Sequence, residues 1–202
     1  MRRAFLLAAS VALVAAACTR TVVVVVTPSP TTPSPTVVTS PPPGSRFVQA
    51  RGVTFAVPQG WHVIGEGAPT GQATLELAYS PDGDSFVSLQ RFGVLINVTP
   101  ERLDEVKPQL VQLLRDTTQQ VGGAILQPLR PAETAGFPGF SATLSITTPK
   151  GNPAEELLYI FFDQTNEYTL ACAYTPDTRE EVSAACEVAR QTFSARPPLP
   201  PL

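Results

Sequence analysis

Half of the prolines in this chain are crowded near its two ends, and that limits where a fold can form. Seven lie between Pro28 and Pro43 and four more between Pro197 and Pro201, out of 22 in all. Proline has a fixed φ and no amide proton, so neither stretch can build a helix interior or a central strand. Residues 19–45 read T-R-T-V-V-V-V-V-T-P-S-P-T-T-P-S-P-T-V-V-T-S-P-P-P-G-S. Such a segment cannot bury a core and is extended in character. At ~3.1 Å per residue its 27 residues reach on the order of 80 Å. What remains is one domain of about 150 residues, 46–196, long enough for a sizeable core, with a proline-rich tail over 197–202.

Ahead of the tether stand Arg2 and Arg3, an apolar run from Ala4 to Ala17, and the junction Ala15-Ala16-Ala17-Cys18. A positive start, a short apolar stretch and a small-residue exit make residues 1–17 a secretory signal. The apolar run of 14 residues falls short of the ~20 that a membrane span needs. Ordinary secretory cleavage after Ala15-x-Ala17 would leave Cys18 a free first residue. Two observations favour cleavage with lipidation instead. Three cysteines are an awkward number for an exported protein, and lipidating Cys18 leaves an even pair, Cys172 and Cys186. The residues that follow Cys18 are also tether-like. The junction resembles the bacterial lipoprotein signal, in which the cysteine receives a diacylglyceryl group and an N-acyl chain. That resemblance implies a membrane anchor at Cys18, on the extracytoplasmic face, with several acyl chains holding where one alone is marginal. Val22 to Val26 is odd in such a tether. It reads as a stiff β-prone stretch near the lipid surface or, alternatively, as an aggregation-prone or strand-adding segment.

All 17 acidic residues fall within 46–196, against 11 basic ones, so the domain sits near −6. No basic run is visible, which argues against nucleic acid and against electrostatic binding to anionic lipid.

Strand patterns dominate the domain. Val53, Phe55 and Val57 alternate, Pro58-Gln59-Gly60 turns the chain, and Trp61 to Ile64 follows. Leu75, Leu77 and Tyr79 alternate next, then Pro81-Asp82-Gly83-Asp84 marks a turn. A strand from Ser85 to about Ile96 changes its apolar parity, which predicts a bulge near Arg91. Thr99-Pro100 opens a helix whose apolar face is Leu103, Val106, Leu110, Leu113 and Leu114, with Pro108 expected to kink or split it and Gly122-Gly123 to end it. Ile125 to Pro131 is a further strand. Phe140, Ala142, Leu144 and Ile146 alternate in another. Leu157 to Phe162 is apolar on both faces, as a strand covered from both sides would be. Tyr168 to Thr175 is its antiparallel neighbour. Thr178-x-x-Glu181 reads as a capping box for a last helix with the stripe Val182, Cys186, Ala189 and Phe193. The predicted fold class is α+β: an α-β-α sandwich with a central antiparallel sheet of about six or more strands and one helix region on each face.

Cys172 shares its strand parity with Tyr168, Leu170 and Tyr174, and Cys186 lies in the apolar stripe of the final helix. Both periodicities aim the thiols into one layer, which predicts a disulfide; two buried free thiols are the alternative. No second cysteine or histidine pair completes a four-ligand metal site. Closing a loop of about 15 residues contributes ~3 kcal/mol in the chain-entropy model, and an exported location permits it.

Catalytic patterns are missing. His62 is the single histidine, so any Ser-His-Asp triad must use it. There is no G-x-S-x-G, H-E-x-x-H, P-loop or dinucleotide fingerprint, and Gly139-Phe140-Ser141 reads as a strand start. Asp82-Gly83-Asp84 is a turn before it is a cation site. Asp104-Glu105 and Glu180-Glu181 sit in helical first turns, where carboxylates offset the macrodipole. No catalytic residue, metal or cofactor is expected.

Gly52-Val53-Thr54-Phe55-Ala56-Val57-Pro58-Gln59-Gly60-Trp61 resembles the opening hairpin of PsbP-like domains, in which a strand ends in P-x-G-W. The element order from Arg51 to Ser194 is similar too, and the lipidated cysteine with a Pro/Thr-rich tether resembles actinobacterial envelope lipoproteins of the LpqN/LpqT type. The resemblance implies a sandwich with a binding or assembly role and no catalysis. The expected partners are the membrane, through Cys18, and an unidentified envelope protein or lipid. An apolar-ligand carrier and, less favoured, an envelope hydrolase are the alternatives.

Overall fold

The computed structural model describes residues 40–66, 73–148, 150–164 and 166–195. Residues 1–17, read as a secretory signal, Cys18, Val22–Val26, most of the stretch read as a tether, Thr165 and the tail at 197–202 lie outside the described residues.

Among the described residues, ten strands form two antiparallel sheets, accompanied by two α-helices. The small sheet has the order β1-β2-β10, with β1 at Ser45–Ala50, β2 at Val53–Pro58 and β10 at Ser194–Ala195. The large sheet has the order β3-β4-β5-β9-β8-β7-β6. Its strands are β3 His62–Glu66, β4 Ala73–Ser80, β5 Phe86–Gly93, β6 Ala124–Thr134, β7 Phe137–Thr147, β8 Pro153–Asp163 and β9 Asn166–Tyr174. Helix α1 runs from Leu103 to Gln120 after a single 3₁₀ turn at Pro100–Arg102, and α2 from Arg179 to Thr192.

The period-2 pattern of each strand sorts its side chains onto two faces, and a separate core forms on each. On one face Leu75, Leu77, Tyr79, Val87, Leu89, Phe161, Tyr168, Leu170 and Cys172 meet the stripe of α2 and the inner side of the small sheet. On the other, Phe140, Ala142, Leu144, Leu158, Ile160 and Phe162 meet Val106, Leu110 and Leu114 of α1. The layers are therefore as expected, with one addition: the α2 layer also contains the small sheet.

The small sheet contains an opening hairpin, β1–β2, whose second strand runs into Pro58-Gln59-Gly60-Trp61. The turn there carries the chain from one sheet to the other: β2 pairs with β1 and β10, whereas β3 pairs with β4. Gly60, at φ +87°, takes the left-handed conformation that this crossover needs. The bulge expected near Arg91 lies across the ladder from it, at Thr74 of β4. Arg91 is buried; its Nε donates to Thr74 Oγ1 at 3.0 Å and its Nη1 to the Arg51 carbonyl at 3.2 Å. The parity change in β5, which ends at Gly93, reflects a strand covered on both faces: Val87 and Leu89 enter one core, Phe86 the other.

Pro108 does not split α1. The helix runs continuously through it because Pro108 is exposed, so the Asp104 carbonyl left without a donor is open to water. Gly122, at φ +67°, ends the helix, and the amide of Gly123 donates to the Thr118 carbonyl at 2.8 Å.

The capping box at α2 is also corrected. Thr178 has φ −105° and ψ 3°, outside the extended region a capping side chain needs, and makes no cap hydrogen bond. Its hydroxyl lies 2.6 Å from Ser85 Oγ and accepts from the Thr175 amide at 3.1 Å. Glu181 is used elsewhere too: its Oε1 accepts the indole N–H of buried Trp61 at 2.9 Å.

Candidate functional site

The densest polar cluster closes the β4–β5 connection, where it abuts the start of α2 and the β7–β8 turn. Asp82 Oδ1 accepts the amides of Asp84 and Ser85 at 2.8 and 2.7 Å, an Asx turn that forces the chain around. Ser80, fully buried, donates its hydroxyl to the Ser85 carbonyl at 2.5 Å and accepts the Gly83 amide at 2.6 Å. Lys150 reaches over from the neighbouring turn to donate to the Asp82 carbonyl at 2.9 Å. Burial opposes ionisation of Asp82. The amides of Asp84 and Ser85, the Ser85 hydroxyl and the Lys150 ammonium outweigh it and hold the carboxyl below its ordinary range. Asp84 is 4% exposed; its Oδ2 accepts from Asn152 Nδ2 at 2.8 Å, whereas Oδ1 has no protein partner.

This geometry bears on the expected chemistry. Asp82-Gly83-Asp84 is built as a turn, with Gly83 at φ +77°, and among the described residues no three His, Cys, Asp or Glu side chains gather where they could hold a metal. His62 is exposed on β3, opposite Ser80 in register. The Ser80 hydroxyl is held by the Ser85 carbonyl, the Asp82 and Gly83 amides and, at 3.4 Å, the Asp82 carboxylate. Ser141 lies within β7, opposite Tyr159. The helical carboxylates are engaged as well: Glu105 pairs with Arg102 at 2.7 Å and Glu181 with Trp61.

Two carboxylates that the sequence pattern did not single out are perturbed. Glu156 on β8 and Glu167 on β9 fall in phase with the residues facing α1, and desolvation pushes each up to about 7. Their strand parity, shared with Leu158 and Ile160 in one case and Ala171 and Ala173 in the other, was the available signal. Glu156 sits opposite Ala173 and Glu167 opposite Phe162, six residues apart along β8. At ~3.3 Å per residue that is about 20 Å, too far for the two to act as an acid–base pair.

Four large apolar side chains among the described residues are exposed: Val63 and Ile64 on β3, Leu95 after β5 and Leu126 on β6. The two outer strands of the large sheet differ. Strand β6 contains Pro128 and Pro131 and two register shifts, devices that block pairing by another strand. Strand β3 contains no proline and one irregularity, at Ile64, and presents Val63 and Ile64 at 44% and 43% exposure. The tether leaves the domain beside this edge. The Gln59 amide donates to the Gly44 carbonyl at 2.8 Å, and Arg46 Nη2 donates to the Trp61 carbonyl at 3.1 Å.

Cys172 and Cys186 are bonded, with Cα atoms 5.9 Å apart and both side chains buried, joining β9 to α2.

No protein-family model and no curated protein sequence matches the chain. Among solved structures, the chain is similar to the cyanobacterial PsbP protein CyanoP of Synechocystis, with a TM-score of 0.56 and 11% identity over 80% of this chain and 98% of that one. LpqN of Mycobacterium tuberculosis, described as involved in cell envelope biogenesis, superposes with a TM-score of 0.48 and 15% identity over 76% of this chain and 91% of that one. The fold is PsbP-like.

Proposed function

We propose that this chain is a lipid-anchored protein of the cell envelope whose tethered domain binds a protein or another envelope component without catalysis. The leader and the junction at Cys18 support the anchor. The Cys172–Cys186 disulfide supports an oxidising, extracytoplasmic compartment. The observation that carries the binding role is the open edge of β3. No strand among the described residues pairs with its outer side, and its backbone there, with Val63 and Ile64 exposed alongside, offers a template on which an extended segment of a partner can add as a strand. The aromatic packing of Phe161, Tyr168, Phe193 and Phe137 beneath α2 supports a solid domain rather than an apolar-ligand carrier.

Two experiments test the reading. Intact mass of the membrane-extracted protein is expected to show a chain beginning at Cys18 with acyl mass; a chain without it removes the anchor. A photo-crosslinking residue at Val63 is expected to capture an envelope component in whole cells, and the same residue at Leu126 on β6 to capture little. Equal capture at both positions defeats the β3 assignment. Bound lipid in native mass spectra supports the carrier instead.

A further inference from the structure

The geometry points to a specific occupant of the β3 edge: the chain's own Val22–Val26. This inference rests on the reading of β3 as a binding edge and goes beyond it by making the protein its own first ligand.

Three observations converge. The first is length and composition. Val22–Val26 is five consecutive β-branched residues with no proline and no charge, the composition most suited to strand pairing. Strand β3 is also five residues long, and two of its residues, Val63 and Ile64, are apolar, β-branched and exposed.

The second is where the tether begins. Hydrogen bonds from Gln59 to Gly44 and from Arg46 to Trp61 fix its root next to the first residue of β3. The 18 residues from Thr27 to Gly44 span about 55 Å at ~3.1 Å each. That is several times the length of β3, and Thr36–Ser40 is a proline-free stretch in which the path can reverse. Pairing within the chain is favoured over pairing between chains because the linker ties the segment to the molecule that bears the edge.

The third is the contrast between edges. Strand β6 is blunted by two prolines; β3, the edge beside the tether root, is not. A chain that carries a bare strand-forming segment risks pairing with neighbouring molecules. An open edge within reach gives that segment a place inside its own molecule.

The docked and released forms differ in position. Only Thr19, Arg20 and Thr21 separate Cys18 from Val22. Docking therefore brings β3 within about 15 Å of the anchor, and release lets the domain stand off by up to about 80 Å. A partner strand competes for the same edge, so partner binding and extension of the tether are one event.

The test uses the mature, lipidated full chain in vesicles of phosphatidylglycerol and phosphatidylethanolamine. Val24→Cys is combined with Val63→Cys on β3, or with Leu126→Cys on β6 as a control. Under mild oxidation the first pair is expected to cross-link within one molecule at least tenfold faster than the second. Replacing Val22–Val26 with Gly-Ser-Gly-Ser-Gly is expected to raise the hydrogen-exchange rate of β3 amides at least tenfold while the other strands keep theirs. Equal rates at both edges, cross-links only between molecules, or unchanged exchange in β3 each overturn the proposal. Capture of another envelope protein at Val63 with no reaction between positions 24 and 63 sinks self-docking alone and leaves the binding function standing.

Discussion

Gly139 shows how much of this fold hangs on single atoms. A Cβ placed on it would lie 2.1 Å from the Ile160 carbonyl and 2.6 Å from the Phe161 Cα, both rigid backbone of the paired strand. Gly139→Ala is expected to cost about 3 kcal/mol or more, read from urea unfolding, because β7 and β8 must part to admit the methyl group. Trp61 gives a second test. Glu181→Ala leaves its buried indole N–H without an acceptor and is expected to cost about 1–3 kcal/mol and shift the fluorescence of the single tryptophan. Glu181→Gln keeps a carbonyl oxygen in place and is expected to lose less than half of that. Spacing alone misread this residue. Thr178 and Glu181 satisfy a capping-box pattern, yet each has a partner far away in the chain that no local pattern displays. Glu156 and Glu167 escaped notice for a different reason: strand parity puts them on a covered face, but how far each is desolvated shows only once the layers are assembled.

At the level of elements, alternation was a reliable guide wherever one face is apolar. Strands β4, β7 and β9 and the stripe of α2 fall where their periods put them, and from two of those periods the Cys172–Cys186 pairing followed. Partition of strands between sheets was not legible. The turn at Pro58-Gln59-Gly60 fits a crossover as well as a hairpin, because both use the same turn residues; only the partners of each strand distinguish them. Pro108 was likewise undecidable, since its cost depends on whether the orphaned carbonyl meets water or protein. The bond between β9 and α2 carries a prediction here. Replacing both cysteines with alanine is expected to cost ~3 kcal/mol in urea midpoint analysis, with α2 the first element to exchange its amides. Equal stability of the two forms would mean that packing alone secures α2.

For the whole molecule, the perturbed carboxyls set a pH dependence. Glu156 and Glu167 are near 4.5 when unfolded and about 7 when folded. The folded chain thus holds more protons between those values, and stability falls as pH rises from about 4.5 through 7, then levels off. Both side chains are half-buried, so solvent discounts the effect. Glu156→Gln with Glu167→Gln is expected to flatten the slope and to raise Tm at pH 8 by a few degrees, about 2–4 °C per kcal/mol recovered. A slope unchanged by the pair would assign it to other groups. The small sheet has a different consequence at this scale, a mechanical one. Any pull on the tether enters the domain at Ser45 and loads β1 against β2. The Ala56 amide passes that load to Thr192 of α2 through a buried 2.8 Å hydrogen bond, and the sulfur–sulfur bond carries it on to β9, the middle strand of seven. In the proposed arrangement, held at Cys18 and gripped at β3, the domain is braced along a line that runs from its attachment point to its centre.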